Sequence, residues 1–232
     1  MAKFFDQYPD FYSTSETTPQ PSRLAYRYEL IIEHNKNLLM GKRVLDFASH
    51  DGRWAFAALK GGGASYVMGL EPRRRLVDNS IASFQKYDVA KSSYDFVCGD
   101  GFNQLEQLRR DKKSFDVGLV LGFLYHTARQ YEVIYRMAEL GCSAIIVDTE
   151  VLRNVTEPLV RIAFEATQSE SNVFTTGKKR ELVAKPSLIA VHQMLLAAGY
   201  EPRLVVIPQA PPATHCYDYQ TGGRFTILGV KQ

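Results

Sequence analysis

The chain has 232 residues, 45% hydrophobic and 23% charged, which is enough for one sizeable core and ordinary for a globular domain. Lys and Arg number 28 against 25 Asp and Glu, so the net charge of +3 sets up no strong field toward nucleic acid or an anionic membrane. The three cysteines, Cys98, Cys142 and Cys216, form no C-x-x-C pair suited to zinc or redox work, and no apolar window of about 18 residues marks a membrane span, so a soluble, cytoplasmic protein with reduced thiols is expected.

Residues up to about 22 are polar and aromatic, with Pro9, Pro19 and Pro21, and read as an arm. The stretch SRLAYRYELIIEHNKNLLMG then predicts a leading helix stopped at Gly41, so that residues 1–42 precede a main domain at 43–232. RVLDFA reads as a buried strand, DGRWAFAALKGG as a helix and SYVMGLEP as a second strand. The alternation continues with a helix from Arg74 to Tyr87, strand YDFVCGD, helix FNQLEQLRRD and the apolar strand FDVGLVLGFLYH. A helix from Arg129 to Leu140 and the strand SAIIVDTEV follow. Residues 152–186 break this rhythm, being polar, β-branched in places and basic at Lys178 to Arg180, and predict an insertion over the site. The helix SLIAVHQMLLAAGY, with Gly199 near its end, leads to RLVVIPQ and RFTILGVKQ, two strands with no helix between them and therefore an antiparallel pair at the sheet edge. The expected fold is α/β, a Rossmann-like three-layer sandwich around a seven-stranded, mostly parallel sheet with one antiparallel edge strand.

Ligands of open α/β sheets bind beyond the carboxyl ends of the strands. Those ends carry Asp46 before the turn ASHDG, then Glu71, Asp100 and the stretch from Gly122 to His126. Glu71 follows Asp46 by 25 residues, a spacing that suits an acid on ribose hydroxyls. Asp46 and Asp100 each also suit a helix cap, but with Glu71 they mark three successive strand ends, which favours a shared ligand.

On these residues the chain resembles the class I S-adenosylmethionine-dependent methyltransferases over 43–232. Their first motif has the form D-h-G-x-G-x-G, and from Asp46 this sequence reads D-F-A-S-H-D-G. Gly52 keeps the last glycine, Ala48 is a mild replacement, and His50 is a severe one because a positive φ suits glycine far better than histidine. The resemblance implies S-adenosylmethionine as cofactor, with Asp46, Ala48, Ser49 and Gly52 in its loop and Glu71 as the ribose acid. It further implies Asp100, Gly101 and Phe102 beside the adenine, and Leu121 at the fourth strand end. A cofactor without pyrophosphate asks for fewer glycines than a dinucleotide does, which argues against a dehydrogenase. DFASHDGRW resembles the variant motif of bacterial sugar and polysaccharide O-methyltransferases, whereas LYH resembles a branch containing tRNA wobble-uridine modifying enzymes.

Methyl transfer to oxygen needs in-line approach and removal of the hydroxyl proton, a task for which imidazole is suited near neutral pH. His126 is the first candidate base and His215, in the loop PPATHCYDYQTGGR, the second; a backbone-bonding role suits either equally. Tyr125, Tyr219, Asp148 and Glu150 are the candidate contacts to the acceptor. Asp148 and Glu150 leave a magnesium ion open without making a metal site by themselves. The aromatic run FFDQYPDFY suits stacking on a sugar as well as packing on the body. The basic clusters at Arg73 to Arg75, Arg109 to Lys113 and Lys178 to Arg180 read as solvated surface, which disfavours a nucleic-acid partner. The expected activity is O-methylation of a small polar acceptor such as a sugar or polysaccharide precursor. A tRNA methyl or alkyl transferase and a non-catalytic binding module of the same fold are the alternatives.

Overall fold

The computed structural model describes residues 3–14, 20–166 and 180–231. A 3₁₀ turn at Phe4–Gln7 and the short helix α1 (Asp10–Ser13) lie against the body. Phe5 and Phe11 are 1% and 0% exposed, Phe11 lies 4.9 Å from the Phe56 ring, and Phe4 stacks on Tyr28 at 4.5 Å. The expected arm is therefore core in these residues. Its hydrophobic content sits in a few large rings separated by polar residues, so no helical or strand period announces it.

Helix α2 (Pro21–Tyr28) opens with Pro21 at its first position, where no backbone N–H is needed. A π turn over Glu29–Glu33 and α3 (Lys36–Leu39) follow, so the single helix expected up to Gly41 is broken. The buried Asn35 side chain stabilises the break by donating to the carbonyls of Leu30 (2.9 Å) and Ile31 (3.1 Å), which the altered helix leaves exposed to bonding.

From Arg43 the predicted alternation is realised: β1 (Arg43–Phe47), α4 (Arg53–Lys60), β2 (Tyr66–Glu71), α5 (Arg74–Lys86), β3 (Tyr94–Cys98) and α6 (Gly101–Arg110). Next come β4 (Val117–Leu121), α7 (Gln130–Glu139) and β5 (Ala144–Glu150). The strands β1, β4 and β5 are almost wholly buried, as continuous apolar runs in a parallel sheet covered on both faces must be. Within the predicted insertion, β6 (Val160–Ala166) and β7 (Arg180–Pro186) form a separate antiparallel pair. The chain closes with α8 (Leu188–Ala197), β8 (Tyr200–Leu204), α9 (Tyr217–Gln220) and β9 (Arg224–Lys231).

The main sheet has seven strands in the order β3-β2-β1-β4-β5-β9-β8. Strands β1 to β5 run parallel, and β9 runs antiparallel to β5 and β8 toward one edge, the single antiparallel strand that was expected there. Strand β8 starts earlier than predicted because Pro202, which cannot donate to a ladder, is tolerated on the outermost strand. One apolar layer joins α4, α5 and the N-terminal segments to the sheet, and a second joins α6, α7 and α8 to its other face. The strand order reverses between β1 and β4, so the carboxyl ends of β1, β2, β4 and β5 bound one crevice. Among the described residues no helix is long and apolar enough to cross a membrane.

Candidate functional site

The turn after β1 has three left-handed residues at alternate positions: Ala48 (φ 57°), His50 (φ 55°) and Gly52 (φ 75°). These are the three positions at which the D-h-G-x-G-x-G pattern places glycine. The Ser49 N–H donates to the Leu70 carbonyl (3.0 Å), the Gly52 N–H to the Ser49 carbonyl (2.9 Å), and the His50 N–H to Glu71 Oε2 (3.0 Å). At Gly52 the glycine is also a packing requirement, because a β-carbon there would lie 2.9 Å from both Phe96 and Ser80.

Asp51, fully buried in the same turn, receives Arg53 Nε (2.7 Å) and Nη2 (2.6 Å) and the Thr14 hydroxyl (2.8 Å). Burial alone would raise its pKa, but the Arg53 charge and the hydrogen bonds from His50 and Arg53 hold it far below the usual carboxylate range. This contact, which the sequence does not announce, fastens the N-terminal segment to the turn.

Asp46 accepts the Ala55 N–H (3.1 Å) and so caps α4. Burial pushes its pKa up to about 8 against that hydrogen bond, helped by the nearby charges of Glu71 and Asp51. Asp100 caps α6 by accepting the Asn103 N–H at 3.0 Å. Both acids thus fill the capping role the sequence also allowed. Glu71 is fully buried; its Oε1 accepts the Arg73 backbone N–H (3.1 Å) and Nε (2.6 Å), and its Oε2 accepts from His50.

A narrow apolar recess lies between the β1, β2 and β3 ends, lined by Phe47, Ala48, Leu70, Pro72, Gly101 and Phe102 together with Phe123. A β-carbon on Gly101 would come within 2.7 Å of the Phe47 ring, so glycine keeps that wall closed. The Arg129 guanidinium sits 3.7 Å over the Phe102 ring. Leu121 and Ser49 are both buried, and Ser49 Oγ has no hydrogen-bond partner among the described residues.

Beyond β4, Gly122 (φ 77°) turns the chain into a 3₁₀ turn at Leu124–His126. The buried Gln130 amide donates to the Leu124 carbonyl (2.7 Å) and to that of Ala184, tying this turn to β7. His126 Nδ1 is 2.9 Å from Glu165 Oε2 on β6. Here a cleft of about 480 Å³ opens between the turn and the β6–β7 hairpin, with Tyr125, His126, Glu150, Arg161, Glu165 and Lys185 among its walls. Lys185 donates to Glu150 at 2.5 Å.

Other sequence candidates are placed differently. The Asp148 carboxylate is wholly buried and accepts from Arg27 (2.9 Å), Arg224 (2.9 Å), the Thr226 hydroxyl (2.8 Å) and the Tyr219 phenol. Burial opposes its ionisation, but Arg27, Arg224 and these hydrogen bonds outweigh it and hold the pKa below the ordinary value. Asp148 and Tyr219 therefore clamp α2, α9 and β9 to β5 rather than face an acceptor, and Asp148 has no lone pair left over for a metal. Glu150 does line the cleft, held by Lys185 and Arg224. Among the described residues no group of three or more His, Cys, Asp or Glu is arranged to hold a metal ion.

His215 is exposed, its carbonyl accepts from Arg23 (2.7 Å), and it is not among the residues lining the cleft. Arg109 and Arg110 pair with Glu106, and Arg73 with Glu71; Lys178 and Lys179 lie outside the described residues. Glu165, Arg161 and Lys185 escaped the sequence reading, although the period-two alternation of RIAFEA and ELVAKP is a strand signal within the insertion.

No protein-family model matches the chain, and comparison with curated proteins finds no match. Solved structures match in fold. The N-terminal domain of EvdMO1, crystallised in the presence of SAH and D-fucose, aligns with a TM-score of 0.66 at 15% identity, covering 94% of this chain and 85% of that one. The same domain with SAH bound gives 0.63 at 16%, over 95% and 84%. An S-adenosylmethionine-dependent methyltransferase from Mesorhizobium loti gives 0.56 at 13%, over 84% and 93%. At such identities the likeness is one of fold, and the chain has the Rossmann-like α/β fold of these structures.

Proposed function

We propose that the chain is a cytoplasmic methyltransferase that uses S-adenosylmethionine to methylate a hydroxyl of a small polar acceptor such as a sugar. The observation that carries this reading is the turn after β1. It keeps a left-handed backbone at Ala48 and His50, where a β-carbon makes that conformation cost roughly 1–2 kcal/mol per residue. Strain of this kind persists where surrounding structure and use require it.

The remaining residues suit the cofactor. Glu71 Oε2 accepts one N–H and so retains a lone pair for a ribose hydroxyl. The solved structures of similar fold that hold SAH support the same cofactor. When bound, S-adenosylmethionine would supply an electrophilic methyl group to a hydroxyl oxygen, with its own thioether sulfur as the leaving group.

His126 is the base. With Nδ1 held by Glu165, its Nε2 takes the hydroxyl proton, and the carboxylate fixes the ring and stabilises the imidazolium that forms. Tyr125, whose phenol accepts from Arg224 (3.1 Å), and Glu150 are the other polar groups available to acceptor hydroxyls. The β6–β7 hairpin covers the cleft. The sugar present with the EvdMO1 domain supports a sugar acceptor, and the local pairing of Arg109, Arg110 and Arg73 with acids disfavours tRNA.

Incubation with S-adenosylmethionine and a panel of monosaccharides should give products heavier by one methylene unit. His126→Ala should lower turnover by about 10²-fold while leaving cofactor affinity intact. Unchanged turnover in that variant would remove His126 as the base.

A further inference from the structure

We infer that the cleft beneath the hairpin is built for an acceptor bearing an anionic group, a carboxylate or phosphate on a sugar-sized molecule. Its chemistry rests on the methyltransferase reading, but its binding does not. In the β6–β7 register Arg161 lies directly opposite Lys185, and both side chains line the 480 Å³ cleft. Like charges opposed across an antiparallel ladder repel each other, so this pair destabilises the hairpin unless an anion sits between them. Lys185 has Glu150, but Glu150 is also held by Arg224 (3.4 Å). Among the described residues no carboxylate pairs with Arg161.

The two ends of the hairpin face differ in sign. At the far end Glu165 lies opposite Glu181, with His126 on Glu165. Arg161 and Glu165 share one face, and a strand rise of about 3.3 Å per residue sets their backbones about 13 Å apart. With both side chains reaching inward, that span suits one sugar ring and a charged substituent. The hydroxyl to be methylated then lies at His126 and the anion at Arg161 and Lys185. A guanidinium fork grips either a carboxylate or a phosphate through paired hydrogen bonds. The volume is in the range of small-molecule sites. A polyanion is disfavoured because Glu150 and Glu165 stand in the same walls.

Calorimetric titration of the full chain without cofactor tests this, with D-glucuronate, D-glucose 6-phosphate and neutral D-glucose as probes at low ionic strength. At least one charged sugar should bind about tenfold or more tightly than glucose, and which one it is separates carboxylate from phosphate. Arg161→Ala, a change at an exposed side chain, should bring the charged sugars down to the glucose level, and Arg161→Lys should restore part of the preference. Equal affinity for all three probes, no binding of any, an unaltered preference in Arg161→Ala, or displacement of the sugar by bulk tRNA would overturn the inference. S-adenosylmethionine titrated into the same protein reads the methyltransferase assignment separately, so a failure there leaves the anion preference standing.

Discussion

At the scale of single residues, Ala48 and His50 in the turn after β1 carry a conformation that glycine would adopt without strain. Ala48→Gly should therefore be neutral or raise stability by up to about 1 kcal/mol, since relief of the left-handed strain offsets the added freedom of the unfolded chain. Gly52→Ala should do the reverse and lower the urea midpoint clearly, because its β-carbon meets Phe96 and Ser80. Asp46 adds a pH signature. Its folded pKa, near 8, lies far above the value of an unfolded aspartate. The stability it contributes is whole below the ordinary aspartate range and is lost as pH rises toward 8. Melting temperatures should fall over that window, and Asp46→Asn should remove much of the fall. Part of this site is legible in the sequence, since Asp46, Glu71 and Asp100 sit at strand ends where pattern alone places ligands. The backbone of His50 is not, because residue type argues against the φ that its neighbours impose.

At the scale of elements, the N-terminal segment and the β5 clamp hold the crevice together. Phe11→Ala should cost about 3–5 kcal/mol in denaturant unfolding, as for a fully buried ring, although the residue lies in what reads as an arm. Asp148→Ala should cost a similar amount, about 3–5 kcal/mol, by leaving the half-buried Arg27 without its carboxylate and the buried Arg224 with Asp218 and Glu150 alone. The pKa of Asp148 is lowered, and so is that of Asp218, which is held by Arg23 and Arg224 against the cost of burial. Their stabilisation is present above the ordinary carboxylate range and is lost as pH falls below it, so the urea midpoint should drop steeply in acid, and less steeply in Asp218→Asn. The clamp is invisible to pattern because its bonds join residues 121 and 76 apart in sequence. The hairpin is missed for another reason: its alternating runs are short and sit inside a polar, basic stretch that breaks the strand–helix rhythm, so they read as part of an insertion.

At the scale of the molecule, the alternation from Arg43 to Glu150 fixes the topology. Buried parallel strands must be continuous apolar runs, and the helices between them must be amphipathic. That topology brings an acid, a strained turn and an apolar recess to one crevice, with a histidine–glutamate pair on the cleft beside it. Calorimetric titration of the purified chain with S-adenosylmethionine shows whether this crevice holds that molecule. Single-site binding with a matching rise in melting temperature is expected, and an affinity about tenfold or more lower in Glu71→Ala. Absence of both binding heat and thermal shift in the unaltered protein would contradict it.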